Sequence, residues 1–177
     1  MPRLVVTQGN SSQELKLEKT QLAETKTKPS SMKALATDSA VTQAMQAGVS
    51  TASTNIAAAL TQIKTTYPTA TPRVVVTGYY RLFPASPAAS CVEMSGIDQS
   101  ELAWINQLQD DVNAALQTTT TGFSFASYVP ISFAGHELCT TDSWLQGLGD
   151  TAPYHPTAAG QQAIADQILA SLKAAKK

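Results

Sequence analysis

The order of a long helix, a short loop and an unbroken apolar strand in residues 39–78 constrains this chain more than any other feature. Val41, Met45, Val49, Ala52, Ile56, Leu60 and Ile63 recur every three or four positions, which lays them along one face of a helix over residues 39–65, with Gly48 weakening its middle. The stripe reads as core packing. Tyr67-Pro68-Thr69-Ala70-Thr71-Pro72 ends the helix, and Arg73-Val74-Val75-Val76-Thr77-Gly78 follows as a β-branched run. A strand apolar at every position is covered on both faces, and this order of elements is that of a parallel α/β sheet.

The rest of the chain repeats the pattern. Tyr79 to Gly96, with two prolines, is an irregular loop at the strand's C-terminal edge, where open α/β sheets build their sites. Asp98 and Glu101 have capping-box spacing at the start of a helix over residues 98–117, with Leu102, Ile105, Leu108, Val112 and Leu116 on its inner face. Phe123 to Ile131 reads as a second strand, Ser132 to Tyr154 as a loop with three glycines. A last helix runs from Pro156 to Ala174, because proline fixes φ and loses no hydrogen bond in a first turn.

At 177 residues, 43% of them hydrophobic, the chain can bury one domain's core. Its net charge of −1 gives no electrostatic case for nucleic acid or an anionic membrane, and no apolar run is long enough to span one. No signal-peptide pattern is visible at the N-terminus. Lys16, Lys19, Lys26, Lys28 and Lys33 crowd one early segment, whereas Lys64, Arg73 and Arg81 are the only basic residues from Ala34 to Leu172. This shift marks residues 1–35 as a divergent segment carrying one short strand, Arg3 to Thr7, and residues 36–177 as the domain proper. Cys91 and Cys139 are too far apart in sequence for a close metal-binding pair, and are either two buried thiols or one disulfide of an exported protein.

His155, in Tyr154-His155-Pro156-Thr157-Ala158-Ala159-Gly160, is the residue best placed for chemistry. An imidazole on a loop at a helix edge suits a general base. A surface histidine beside a helix start is the plainer reading, and the family blocks outweigh it. Val74 to Tyr80, Phe133-Ala134-Gly135-His136-Glu137-Leu138-Cys139, Asp142-Ser143-Trp144-Leu145 and His155-Pro156-Thr157-Ala158-Ala159-Gly160 occur in the order seen in SGNH hydrolases, the GDSL-type esterases and lipases. The resemblance covers about residues 38–175 and is closest to the secreted, disulfide-containing branch. It implies a three-layer α/β/α fold with a parallel, flavodoxin-like sheet, and hydrolysis of carboxylic esters through an acyl-serine without metal or cofactor. It further implies an extracellular protein, a Cys91–Cys139 disulfide, His155 as the base and His136 as a structural loop anchor.

The chain departs from the family in two places. No Gly-Asp-Ser occurs in it. The nearest N-terminal segment, Thr7-Gln8-Gly9-Asn10-Ser11-Ser12, aligns in two ways. In one, Gly9-Asn10-Ser11 is a degenerate Gly-Asp-Ser and Ser11 is the nucleophile. In the other, Gly9 and Asn10 belong to the later oxyanion block, and the chain lacks its first strands and its nucleophile. The long helix that follows favours the second register. The aspartate usually found three residues before the histidine is replaced by Ala152. Asp150, on a loop turned by Pro153, or a backbone carbonyl near Ala152 takes that role, with Asp142 behind both.

The expectation is therefore a serine esterase or lipase acting on small-molecule or lipid esters, with His155, Asp150 and Ser11 catalytic and Gly9 and Asn10 at the oxyanion. The rival is an impaired hydrolase fold or a ligand-binding module. Tyr79, Tyr80, Leu82 and Phe83 line an acyl pocket or pack the loop. His136, Cys139, Asp150 and His155 are zinc-type ligands without zinc spacing.

Overall fold

The structure, a computed structural model, describes residues 38–69, 73–87 and 91–174, all within one compact unit, Ser31–Lys177. Gly9, Asn10 and Ser11, and with them both registers of the N-terminal block, lie outside the described residues.

Helix α1 spans Ser39–Thr66 and begins where Asp38 accepts hydrogen bonds from the Ala40 and Val41 N–H groups. Strand β1 (Val74–Thr77), helix α2 (Gln99–Thr121) and strand β2 (Ala126–Val129) form a β-α-β unit, and α3 (Ala158–Ala174) closes the described chain. The strands are parallel, in register from Val74 opposite Ala126 to Thr77 opposite Val129. Helix α1 packs on α2, α2 on both strands, and α3 on β2. The protein is thus an α/β fold on a parallel sheet, of which two strands lie among the described residues.

The capping box of α2 forms as its spacing predicts. Asp98 Oδ1 accepts from the Glu101 N–H at 2.9 Å, and Glu101 Oε2 accepts from the Asp98 N–H at 2.7 Å. Three expectations need correction. The second strand is shorter than residues 123–131, since Phe125 serves as an acceptor for Val74 before the ladder proper and Ile131 belongs to the core beyond it. The α1 stripe faces inward, but only Leu60 is buried and Met45 is 42% exposed, because among the described residues α2 is the main element packed on that helix. The last helix starts two residues after Pro156. Pro156 instead makes an antiparallel bridge with Leu145, and Thr157 caps α3 by accepting the Gly160 N–H on Oγ1 at 3.2 Å.

The core lies at the C-terminal end of the strands, beneath the site. Phe83, Ile131, Phe133, Leu138 and Leu145 come from the loops after β1 and β2, and close on Leu102 of α2 and Val129 of β2. Phe83 is a core residue and Leu82 packs against that core, so neither lines an open acyl pocket, and Tyr79 is exposed. Cys91 and Cys139 are joined as a disulfide with Cα atoms 5.2 Å apart, tying the β1 loop to the β2 loop. The bridge closes 48 residues of sequence. By loop-closure entropy, breaking it is expected to cost about 2–4 kcal/mol. Urea unfolding with and without dithiothreitol measures this, and a midpoint unmoved by reductant would contradict it.

Candidate active site

His155 sits on a turn. Its N–H donates to the Ala152 carbonyl at 3.1 Å, closing a four-residue turn over Ala152–His155. Tyr154, the third residue, has φ of 67°. Pro153, the second, is held near φ −65° by its ring, so the turn is type II. That type is usually completed by glycine, because left-handed φ costs other residues roughly 1–2 kcal/mol. The strained tyrosine sits next to the candidate base His155, and backbone strain tends to collect at functional sites.

The turn sets the ring. His155 Nδ1 lies 3.0 Å from the Pro153 carbonyl oxygen, which can only accept, so Nδ1 carries the proton and donates. Nε2 is then the basic nitrogen, and among the described residues it meets no hydrogen-bond partner; the residue is exposed. Asp150 has a different task. Its Oδ2 accepts from the Gly147 N–H at 2.7 Å and braces the loop ahead of the turn. Asp142 accepts from His136 Nδ1, through its carbonyl at 2.8 Å with Oδ2 at 3.2 Å. His136 is therefore engaged within its own loop, and its ring lies flat on Trp144 with centroids 3.8 Å apart. Of the residues singled out in sequence as catalytic, the structure describes His155 and Asp150, and it bonds the imidazole to a backbone oxygen.

Around the turn the chain is an antiparallel clasp. The Tyr154 N–H donates to the Gln146 carbonyl at 2.8 Å, the Gln146 N–H to the His155 carbonyl at 2.9 Å, and the Thr157 N–H to the Trp144 carbonyl at 2.8 Å. The Thr157 hydroxyl donates to that same carbonyl at 3.2 Å. A Cβ on Gly160 would collide with the Trp144 carbonyl oxygen and crowd Pro156 Cβ at 3.0 Å. This is the physical reason the His-Pro-x-x-x-Gly block ends on glycine. Tyr80 reaches across from the β1 loop, donating its hydroxyl to the Tyr154 carbonyl at 3.4 Å and stacking its ring on Phe133. Burial, and after it the neighbouring Tyr79, push the Tyr80 phenol above its ordinary value of 10.0, so it stays protonated and donating at neutral pH. Sequence reasoning missed Gln146, and quoted Trp144 in a family block without a role for it. The sole signal was Pro153, which announces a turn but not its type.

No family model matches the chain. It is 41% identical over 95 residues to a lipase of Streptomyces rimosus, and 37% identical over 93 residues to Lipase 1 of Streptomyces coelicolor (strain ATCC BAA-471 / A3(2) / M145). Each match takes in 50% of this chain but only 33% and 32% of the relative, so the match spans about a third of those proteins' length. Among solved structures, phospholipase A1 from Streptomyces albidoflavus NA297 superposes with a TM-score of 0.58 at 28% identity, over 79% of this chain and 61% of that one. The extracellular lipase of Streptomyces rimosus superposes with a TM-score of 0.55 at 29% identity, over 86% and 64%. Sequence and fold likeness thus converge on the same enzymes that the four blocks resemble, and the loop-tying disulfide is in place. The chain thus resembles Streptomyces lipases in sequence over half of its length and in fold over most of it.

Proposed function

We propose that this protein hydrolyses carboxylic esters by a serine mechanism in which His155 is the general base and the Pro153 carbonyl, rather than Asp150, orients it. The observation that carries the reading is the Nδ1–Pro153 hydrogen bond, which leaves Nε2 as the base at the C-terminal edge of a parallel sheet. The relatives named lipase and phospholipase A1 support ester substrates of small-molecule or lipid type, and the one named extracellular supports an exported protein.

In this mechanism Nε2 takes the proton of the serine hydroxyl as its oxygen attacks the ester carbonyl. The tetrahedral oxyanion is held by backbone N–H donors. As it collapses to the acyl-serine, the protonated ring returns that proton to the departing alkoxide. Water then attacks the acyl-serine with His155 again as base. A carbonyl orients the ring but stabilises the imidazolium less than a carboxylate would. Ser11 is the proposed nucleophile.

The second reading, a hydrolase fold without a competent serine, is favoured by the absence of Gly-Asp-Ser from the sequence. Turnover of p-nitrophenyl acetate and butyrate by the wild type, His155→Ala and Ser11→Ala decides between them. Ser11→Ala is expected to lose on the order of a thousandfold or more. Retained turnover in Ser11→Ala removes Ser11 from the mechanism, and a wild type without turnover leaves the second reading.

A further inference from the structure

We propose that Gln146 is a positioning residue that holds the Pro153 carbonyl on the His155 ring and so fixes the imidazole in the tautomer a general base needs. This rests on the reading of His155 as the base, and adds to it what keeps the ring poised.

Three groups of this one residue grip the turn. Its carbonyl accepts the Tyr154 N–H at 2.8 Å, its N–H donates to the His155 carbonyl at 2.9 Å, and its side-chain Oε1 accepts the Ala152 N–H at 3.3 Å. These contacts fall on three of the turn's four residues, and the fourth is Pro153, which has no N–H to offer. The two backbone bonds belong to the clasp and any residue could make them. The third is specific to the glutamine side chain. It pins the first residue of the turn, while the clasp pins the third and fourth.

That pinning has work to do because the turn is unfavourable by itself. With Tyr154 at φ 67°, the Pro153–Tyr154 peptide gains from flipping toward the type I arrangement, which tyrosine adopts without strain. The flip would carry the Pro153 carbonyl away from Nδ1. A histidine ring released from that acceptor has no reason to keep its proton on Nδ1, and the Nε2–H form cannot accept a proton from a serine. A backbone acceptor also cannot be repaired by a rotamer change, since its direction is set by the turn alone. The Tyr80 hydroxyl on the Tyr154 carbonyl works in the same sense from the other side, but at 3.4 Å it is the looser contact.

The test uses two readouts, one of which needs no catalysis. Two-bond proton–nitrogen NMR of the full chain reports the His155 tautomer in the wild type, Gln146→Met and Gln146→Glu. Methionine keeps the bulk and removes the acceptor, whereas glutamate keeps an acceptor for the Ala152 N–H. The wild type is expected in the Nδ1–H form, Gln146→Met as a mixture with Nε2–H, and Gln146→Glu back in the Nδ1–H form. In parallel, kcat on p-nitrophenyl butyrate is expected to fall on the order of tenfold in Gln146→Met with KM unchanged, and to recover in Gln146→Glu. If Gln146→Met does not fold, Gln146→Asn withdraws the acceptor by one methylene and gives the same comparison. A wild-type tautomer in the variant without the acceptor, or a wild type not in the Nδ1–H form, overturns the proposal. Should the tautomers behave as expected while the wild type shows no turnover, Gln146 keeps its role and the esterase reading is what fails.

Discussion

Replacing His155 with alanine is expected to lower the turnover of p-nitrophenyl butyrate by about a thousandfold or more while leaving the fold and its stability unchanged. A positioned general base contributes typically 10²–10⁴ in rate, and with an attacking serine beside it the two act as a unit, so losing either disables both. The effect should appear in kcat. In the proposed mechanism the imidazole meets the reacting proton and not the body of the substrate, so the loss would fall on the transition state rather than on ground-state binding. The stability half of the expectation follows from the geometry. His155 is exposed, and its one side-chain bond runs two residues back along its own turn. The clasp that shapes the turn is made of main-chain groups and the Gln146 side chain, none of which alanine removes. Surface substitutions of this kind stay within about 0.5 kcal/mol. Added imidazole should restore part of the lost rate, because it can take the place of the ring that the proposed mechanism requires. Equal activity in wild type and His155→Ala would refute the catalytic role of this residue.

How much of this was legible beforehand depends on whether a feature lives in side-chain chemistry or in backbone geometry. The β-α-β core was legible, since Val74–Val76 reads as a strand and the Asp98–Glu101 spacing marks a helix start, although the three valines are half-buried rather than covered on both faces. His155 was singled out as the candidate base because its block has a distinctive letter pattern. The group that orients it was not. A carbonyl belongs to every residue, so no letter in the sequence marks the one that accepts from an imidazole. Its aim depends on Tyr154 adopting a φ that tyrosine seldom takes, and the clasp with Gln146 that holds it there joins residues eight positions apart through main-chain bonds. Pro156 misled for a related reason. Proline suits a helix start, yet here the bridge to Leu145 claims it and Thr157 caps the helix instead. Phe83, which in sequence could line an acyl pocket or pack its loop, packs into a core that the loops build.

That loop-built core sets the second large effect. Phe133→Ala is expected to destabilise the protein by about 3–5 kcal/mol, the range for removing a fully buried phenylalanine. Phe133 is 1% exposed. Its ring stacks on Tyr80 with centroids 4.3 Å apart and planes 7° from parallel, and meets Trp144 edge-on at 5.4 Å and 83°. Each such pair adds roughly 0.5–1.5 kcal/mol beyond area burial, and the surrounding loops are tied by the disulfide, so the cavity cannot collapse freely. Domains of this size keep only about 5–15 kcal/mol in total, so the loss is a large share of it and should lower Tm by on the order of 10 °C. The site should suffer with the core. Tyr80 holds the Tyr154 carbonyl and Trp144 holds Thr157, so the ring between them supports both flanks of the His155 turn. Val92→Ala, at a side chain 71% exposed, provides the contrast and should change stability by no more than about 0.5 kcal/mol. Urea unfolding of the two variants beside the wild type makes the comparison. A Phe133→Ala loss as small as that of Val92→Ala would mean that the ring is not locked between Tyr80 and Trp144, and that the turn beneath His155 rests on something else.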